Sequence, residues 1–374
     1  MKRSIGNSTL TDQSLTLAVP EPTLTESVTY VCIHPTRLSM PGSARRSGII
    51  GGVDRCLVSG ADGFIGTALC NRLGAMGIRI VRLVHRNPGV DRIVADLGRV
   101  PVNGLASFRP EVVFHLAARV HERDVGSHAE SEHQVVTVEG TRDLLQAAVD
   151  AGASTFVFFS TCAVMREGAP EQLDESAMPI PSSAYGRAKL QAEEWVLSMN
   201  GMRGLRTVCL RLPMVYGPGQ KGNLPRMIKA IKRGIYPPLP DFGDRRSMVH
   251  VDDVVDAALL VAGAPRAAGK VYFVAEPRAY SSRELYELVL RSLGRRIPKW
   301  RVPSGLLAAL ANVGDLSSRA ARKRMPFDRQ ALDKLSQSAW YSADRIAQDL
   351  GFRTSRSFES AIAQLVVADR SRDE

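Results

Sequence analysis

Tyr185 and Lys189 stand four residues apart in YGRAKLQAEEW, so a helix there puts a phenol and an amine on one face. A free phenol titrates near pH 10, too high for ready proton exchange at neutrality. An ammonium beside it stabilises the phenolate and draws that value down, which makes the pair a candidate acid–base couple. Thr161 ends the apolar run TFVFFST. A hydroxyl at such a strand end can polarise a carbonyl. Cys162 follows it, but no basic neighbour in sequence activates that thiol, which reads as a small buried side chain.

The stretch SGADGFIG spaces Gly60, Gly63 and Gly66 by three. It follows the apolar run CLVS and opens a helix whose apolar positions include Phe64, Ile65, Ala68, Leu69 and Leu73. That context suits the pyrophosphate of a dinucleotide. Gly60 permits a tight turn, Gly63 lets the backbone approach phosphate, and Gly66 lets the helix pack close on the strand. The helix N-terminus adds free N–H groups and a partial positive charge. The next apolar run ends in LVHR, where a reader of the unmodified ribose usually carries an acid. His85 and Arg86, with Arg82 nearby, suit a 2′-phosphate instead, so NADP is the expected cofactor, with NAD as the other choice.

These groups need a scaffold that collects strand ends. The chain has 374 residues, 44% hydrophobic and 23% charged, which are globular values with room for a sizeable core. CLVS, IVRLV, VVFHL, TFVFFS, TVCLRL and VYFVA read as buried strands. Amphipathic stretches such as FIGTALCNRL, HQVVTVEGTRDLLQAAVDA and GRAKLQAEEWVLSM lie between them. The alternation predicts an α/β fold with a doubly wound parallel sheet of Rossmann type. Residues 1–53, rich in Ser, Thr and Pro, are expected to form a mobile extension. Residues 54–215 are expected to hold the dinucleotide, and 216–374 to form a smaller substrate-binding region interleaved with the sheet. GIIGG at 48–52 has no strand before it and is not expected to cradle phosphate.

Net charge is +11, which favours an anionic partner. The basic run RAARKR at 319–324 lacks interleaved aromatics, so nucleic acid is not expected. The five cysteines form no CxxC pair, and MKRSIGNSTLTDQ has no apolar run behind its basic residues. Both point to a reducing, cytoplasmic setting. No apolar run reaches the length of a membrane span. His121, His128 and His133 do not share a helical face, and no metal site is expected.

The ordered set of motifs resembles the extended short-chain dehydrogenase/reductases, in particular their nucleotide-sugar epimerase, dehydratase and reductase group. GADGFIG, ADL from Ala95, HLAAR from His115, FFST ending at Thr161, YGRAK, RLPMVYGPG from Arg211 and RRSMVHVDD from Arg245 carry it, over roughly residues 55–365. The resemblance implies that Thr161, Tyr185 and Lys189 are catalytic, with Lys189 also bonded to the nicotinamide ribose. It implies Asp96 and Leu97 near the adenine, and Leu116, Ala117 and Ala118 along the pyrophosphate and ribose. On the substrate side it implies Asn223 and Arg246 at the nucleotide diphosphate, Lys221 assisting, and Thr161 at the sugar. A homodimer is likewise an expectation by resemblance.

Three departures narrow the reaction. Cys162 and Ala163 stand where family dehydratases carry Asp-Glu, so a 4,6-dehydratase is disfavoured. Thr137 replaces an Asn ahead of the VEGT-like segment, and Met214 replaces an Asn before YGPG. Two readings remain within the group. One is reduction of the C4 ketone of a UDP-linked deoxysugar in surface-polysaccharide synthesis. The other is NAD-dependent 4-epimerisation of a UDP-hexose. His85 and Arg86 favour the reductase. Outside the group stand a hydroxysteroid or small-carbonyl dehydrogenase on the same scaffold and, from another class, a non-catalytic dinucleotide sensor or RNA-binding relative.

Overall fold

A computed structural model describes residues 50–86, 88–99, 105–119, 127–220, 222–321 and 328–368. Seven strands form one sheet: β1 (Arg55–Ser59), β2 (Arg79–Val84), β3 (Arg92–Val94), β4 (Val112–His115), β5 (Thr155–Thr161), β6 (Arg206–Leu212) and, after two strands of a separate pair, β9 (Lys270–Phe273). Their order is β3-β2-β1-β4-β5-β6-β9, and every neighbouring pair is parallel. β7 (Met214–Tyr216) and β8 (Met248–His250) make the separate pair, also parallel.

The strands read as continuous apolar runs because helices cover both faces of a parallel sheet. Alternate residues still divide between the faces. Cys56, Val58, Val112, Phe114, Val157 and Phe159 pack with the helices Phe64–Ala75 and Val251–Gly263. Leu57, Val81, Leu83, Val113, Phe156 and Phe158 pack with the helices Gly140–Asp150 and Ala184–Ser198 on the other side. A further core, with Tyr216, Leu224, Tyr280, Leu285 and Phe358, lies in the C-terminal half.

Two details depart from the sequence expectations. Ile50 is buried in the core beside Cys56 and Leu69, so the fold begins a few residues before position 54; residues 1–49 lie outside the described ones. The stretch HQVVTVEGTRDLLQAAVDA is also not one uniform helix. Gln134–Glu139 form a π-helix that runs into the α-helix Gly140–Asp150. Within it the Thr141 hydroxyl donates to the Thr137 carbonyl, a bond that competes with regular helical pairing.

β1 is flanked by β2 on one side and β4 on the other, so the chain's path reverses there. In an open parallel sheet, the crevice outside the carboxyl ends of such strands is where ligands bind.

Candidate functional site

A cleft of about 690 Å³ opens at that crevice. Its floor is the turn after β1. Gly60 adopts φ +65°, in the left-handed region, and its carbonyl accepts the Gly63 N–H at 2.9 Å. A Cβ on Gly66 would sit 2.2 Å from the Gly60 carbonyl oxygen, so only glycine lets the helix Phe64–Ala75 start this close to the turn. That helix has no side-chain cap and no acid in its first turn, so its N-terminal N–H groups face no competing anion of their own. Gly60, Gly63, Phe64, Ile65 and Gly66 all line the cleft, as do His85, Arg86, Leu116, Ala117 and Ala118.

A buried relay sets the backbone at Leu116 and Ala117. Both N–H groups donate to the Ser59 hydroxyl oxygen, at 3.0 and 3.1 Å. Ser59 contacts His115 Nδ1 at 2.6 Å, and His115 Nε2 lies 2.9 Å from the Thr141 hydroxyl. Burial, reinforced by Lys189, pushes the imidazole down to about 3, so it is neutral at pH 7. Ser59 therefore donates to Nδ1, the Nε2–H donates to Thr141, and Thr141 donates to the Thr137 carbonyl. This relay ties β1, β4 and the π-helix together beneath the cleft.

The other wall carries Phe159, Ser160, Thr161, Tyr185 and Lys189. Thr161 caps the short helical turn Cys162–Val164 by accepting the Ala163 N–H at 3.2 Å, a bond that leaves the hydroxyl proton available as a donor. Ser183 caps the helix Ala184–Ser198 through the Gly186 N–H at 3.0 Å. A Cβ on Gly186 would come within 2.3 Å of the Ala163 carbonyl, so glycine there seats Tyr185 beside the turn that carries Thr161. The Cys162 thiol is buried and pushed well up by desolvation, which removes it as a nucleophile.

Lys189 is 2% exposed. Its Nζ donates to the Phe159 carbonyl at 2.8 Å and lies 4.5 Å from the Phe158 ring centroid. Burial lowers it from 10.5 to about 7, against the pull of Glu193 one turn further on. The permanent ammonium expected from the sequence is thus a group that titrates near neutrality in the cofactor-free cleft. Glu193 in turn clamps Arg211 of β6 through contacts of 2.8, 3.1 and 3.2 Å, both groups being buried. That pair pins the catalytic-candidate helix to the sheet.

Several expected residues fall elsewhere. Leu97 is a core side chain packed at Gly140, which leaves only its backbone for a ligand. Asp96 pairs with His85 at 3.5 Å and with Arg99 at 3.3 Å and is not among the cleft's lining. Asn223 begins the helix Asn223–Lys232 and is not among the cleft's lining, and Lys221 lies outside the described residues. The Arg246 guanidinium is engaged by protein: it donates to Asp244 at 3.2 Å, to the Ser282 hydroxyl at 3.1 Å, and to the carbonyls of Lys334 and Gln337. It anchors the C-terminal segment in this state, because the buried Asp244 needs a cation beside it.

Asp62, Val84, Phe159, Ser160, Leu212, Pro213 and Val215 also line the cleft without being marked by any motif as site residues. Most adjoin motifs already singled out, and adjacency at a strand end was the available signal. In the sequence His133 stands out only as a possible metal ligand. It is buried with its ring 6.0 Å from that of Tyr185. His121 and the His128 side chain lie outside the described residues, and no cluster of three metal-binding side chains occurs among the described ones.

The glycine cradle, the uncapped helix start, and a buried Ser160 hydroxyl with no protein partner in the cleft wall together fit a bound dinucleotide. The model of the NAD dependent epimerase/dehydratase family matches residues 56–275. A UDP-glucose 4-epimerase of Vibrio cholerae is 29% identical over 262 residues, 66% of this chain and 77% of that protein. The 4-hydroxy-2-methyl-3-oxo-4-farnesyl-3,4-dihydroquinoline-1-oxide ketoreductase of Stigmatella aurantiaca is 30% identical over 313 residues, 80% of this chain and 91% of that protein. The structure of MoeE5 in complex with UDP-glucuronic acid and NAD aligns with a TM-score of 0.66 at 27% identity, covering 85% of this chain and 99% of that one. Fold, cleft and sequence agree: the chain belongs to the NAD dependent epimerase/dehydratase family, as an extended short-chain dehydrogenase/reductase with a Rossmann-type sheet.

Proposed function

We propose that this protein is an NADP-dependent ketone reductase whose substrate is a 4-keto nucleotide sugar, with Thr161, Tyr185 and Lys189 as the catalytic group. The observation that carries the reading is the convergence of these three side chains, from β5 and the helix Ala184–Ser198, on the cleft that holds the glycine cradle. When bound, the nicotinamide supplies the hydride. Thr161 donates its free hydroxyl proton to the ketone oxygen and holds it in place. Tyr185 gives its phenolic proton to the oxygen as negative charge develops there. Lys189 stabilises the resulting phenolate, and its protonated form is favoured when an anionic ligand enters the cleft. Glu193 and Arg211 keep the helix seated while this happens. His85 and Arg86 at the cleft edge support NADP over NAD, through a 2′-phosphate.

Purified protein should oxidise NADPH when a 4-keto nucleotide sugar is added, and Tyr185→Phe should abolish turnover while retaining cofactor binding. Interconversion of UDP-glucose and UDP-galactose without net cofactor turnover would replace this reading with an epimerase. One observation favours a second reading, a reductase for a ketone without a diphosphate. Arg246 is committed to protein partners, and Leu212, Pro213 and Val215 add apolar surface to the cleft. Inhibition by free UDP distinguishes the two: competition with the ketone substrate supports the sugar reading, and no inhibition supports the other.

A further inference from the structure

The helix Ser304–Ala321 carries two apolar stripes. Leu307 and Ala311 face inward and pack with Leu239 and Leu332. Leu306, Leu310 and Val313, spaced i, i+4 and i+7, form a second stripe, with Leu306 and Leu310 one residue before Leu307 and Ala311 and about 100° round the axis from them; the three are 52%, 50% and 60% exposed. Trp300, just ahead of the helix, and Ile235 are also largely exposed. Hydrogen bonds make these positions neighbours. The Val302 N–H donates to the Pro238 carbonyl at 3.1 Å, and Arg295 donates to the carbonyls of Ile231 and Lys232 at 2.6 and 2.5 Å. The segments 231–239 and 295–302 therefore run side by side at the start of the helix.

The segments 231–239 and 295–302 carry basic residues and no acid. Arg233, Arg296, Lys299 and Arg301 are exposed, and none forms an ion pair with a described residue. Other exposed arginines do meet acids, as Arg278 does with Glu284 and Glu359, and Arg187 with Glu130. An apolar stripe with a tryptophan at its end and an unpaired basic rim matches the interfacial zone of a bilayer. Leucine and valine enter the acyl boundary, the indole sits at headgroup level, and the cations meet anionic headgroups. No helix among the described residues is long and apolar enough to cross a membrane, so the contact is peripheral.

We infer that this face docks the protein on an anionic lipid surface, with the helix Ser304–Ala321 lying in the headgroup plane. The full chain should co-sediment with phosphatidylcholine–phosphatidylglycerol vesicles and partition roughly tenfold or more less onto pure phosphatidylcholine. Leu310→Ser with Val313→Ser should release it from the mixed vesicles, and so should Arg296→Glu with Lys299→Glu and Arg301→Glu. Both variants should keep the wild-type circular dichroism and cofactor affinity, since every altered side chain is exposed. Absence of binding to the mixed vesicles overturns the inference, as does equal binding by either folded variant. A dimer that Leu310→Ser with Val313→Ser splits to monomers also overturns it, because a second copy would then cover the stripe.

Discussion

Replacing Lys189 by Met should stabilise the cofactor-free protein while destroying its chemistry, and the size of the gain should depend on pH in a stated way. Lys189 titrates at about 7 in the fold against an ordinary 10.5, chiefly because burial penalises the ammonium. Below pH 7 the amine is charged in both the folded and unfolded chains, so the penalty is constant and complete. As pH rises from 7 towards 10.5 the folded state holds fewer protons than the unfolded one, so stability is regained. The cost of keeping this lysine folded is about 4 kcal/mol at pH 7 and about 2 kcal/mol at pH 9. Methionine fills the same space without that cost, but gives up the bond to the Phe159 carbonyl, worth about 1 kcal/mol. The variant should therefore exceed the wild type by about 3 kcal/mol at pH 7 and by about 1 kcal/mol at pH 9. Urea unfolding of both proteins at the two pH values measures the gap, and other titrating groups cancel in the difference. A gap that does not change between pH 7 and 9 would refute the burial argument, whatever its size.

The same lysine links cofactor to protons: an anion in the cleft raises its pKa, so dinucleotide affinity should weaken from pH 7 to 9, and a pH-independent Kd would count against this. Gly66→Ala should cost about 2 kcal/mol through the clash with the Gly60 carbonyl, and should weaken NADP binding in a fluorescence titration; unchanged affinity would dismiss the cradle. Arg86→Glu should shift the ratio of kcat/KM for NADPH and NADH by roughly tenfold or more towards NADH, and an unmoved ratio would remove the basis for NADP. Glu193→Gln leaves the buried Arg211 without its counter-charge, so unfolding free energy should fall by about 3 kcal/mol; a loss near zero would mean that the pair is not what seats the helix.

The apolar runs were legible as strands because a sheet covered on both faces needs little polarity, and six of them stand where the sequence put them. β3, β7 and β8 escaped because each has only three residues and takes its pairing from elsewhere in the chain. The π-helix was hidden by the periodicity around it, which reads as one helix until Thr141 bonds back to Thr137. Arg246 and Leu97 show the opposite limit. A motif places a residue type, but the partners that capture its side chain arrive from distant segments, here 334–337 and the helix beginning at Gly140.

What the sequence determined alone was local: a glycine turn that only small residues can make, a phenol and an amine on one helical face, and a hydroxyl at a strand end. Whether those groups meet depends on the order of strands in the sheet, which no local pattern encodes. Tertiary structure also decided their charge. Lys189 was an ammonium on paper, and it became a group poised near neutrality because the folded chain stripped it of water and placed an aromatic ring and a carbonyl around it.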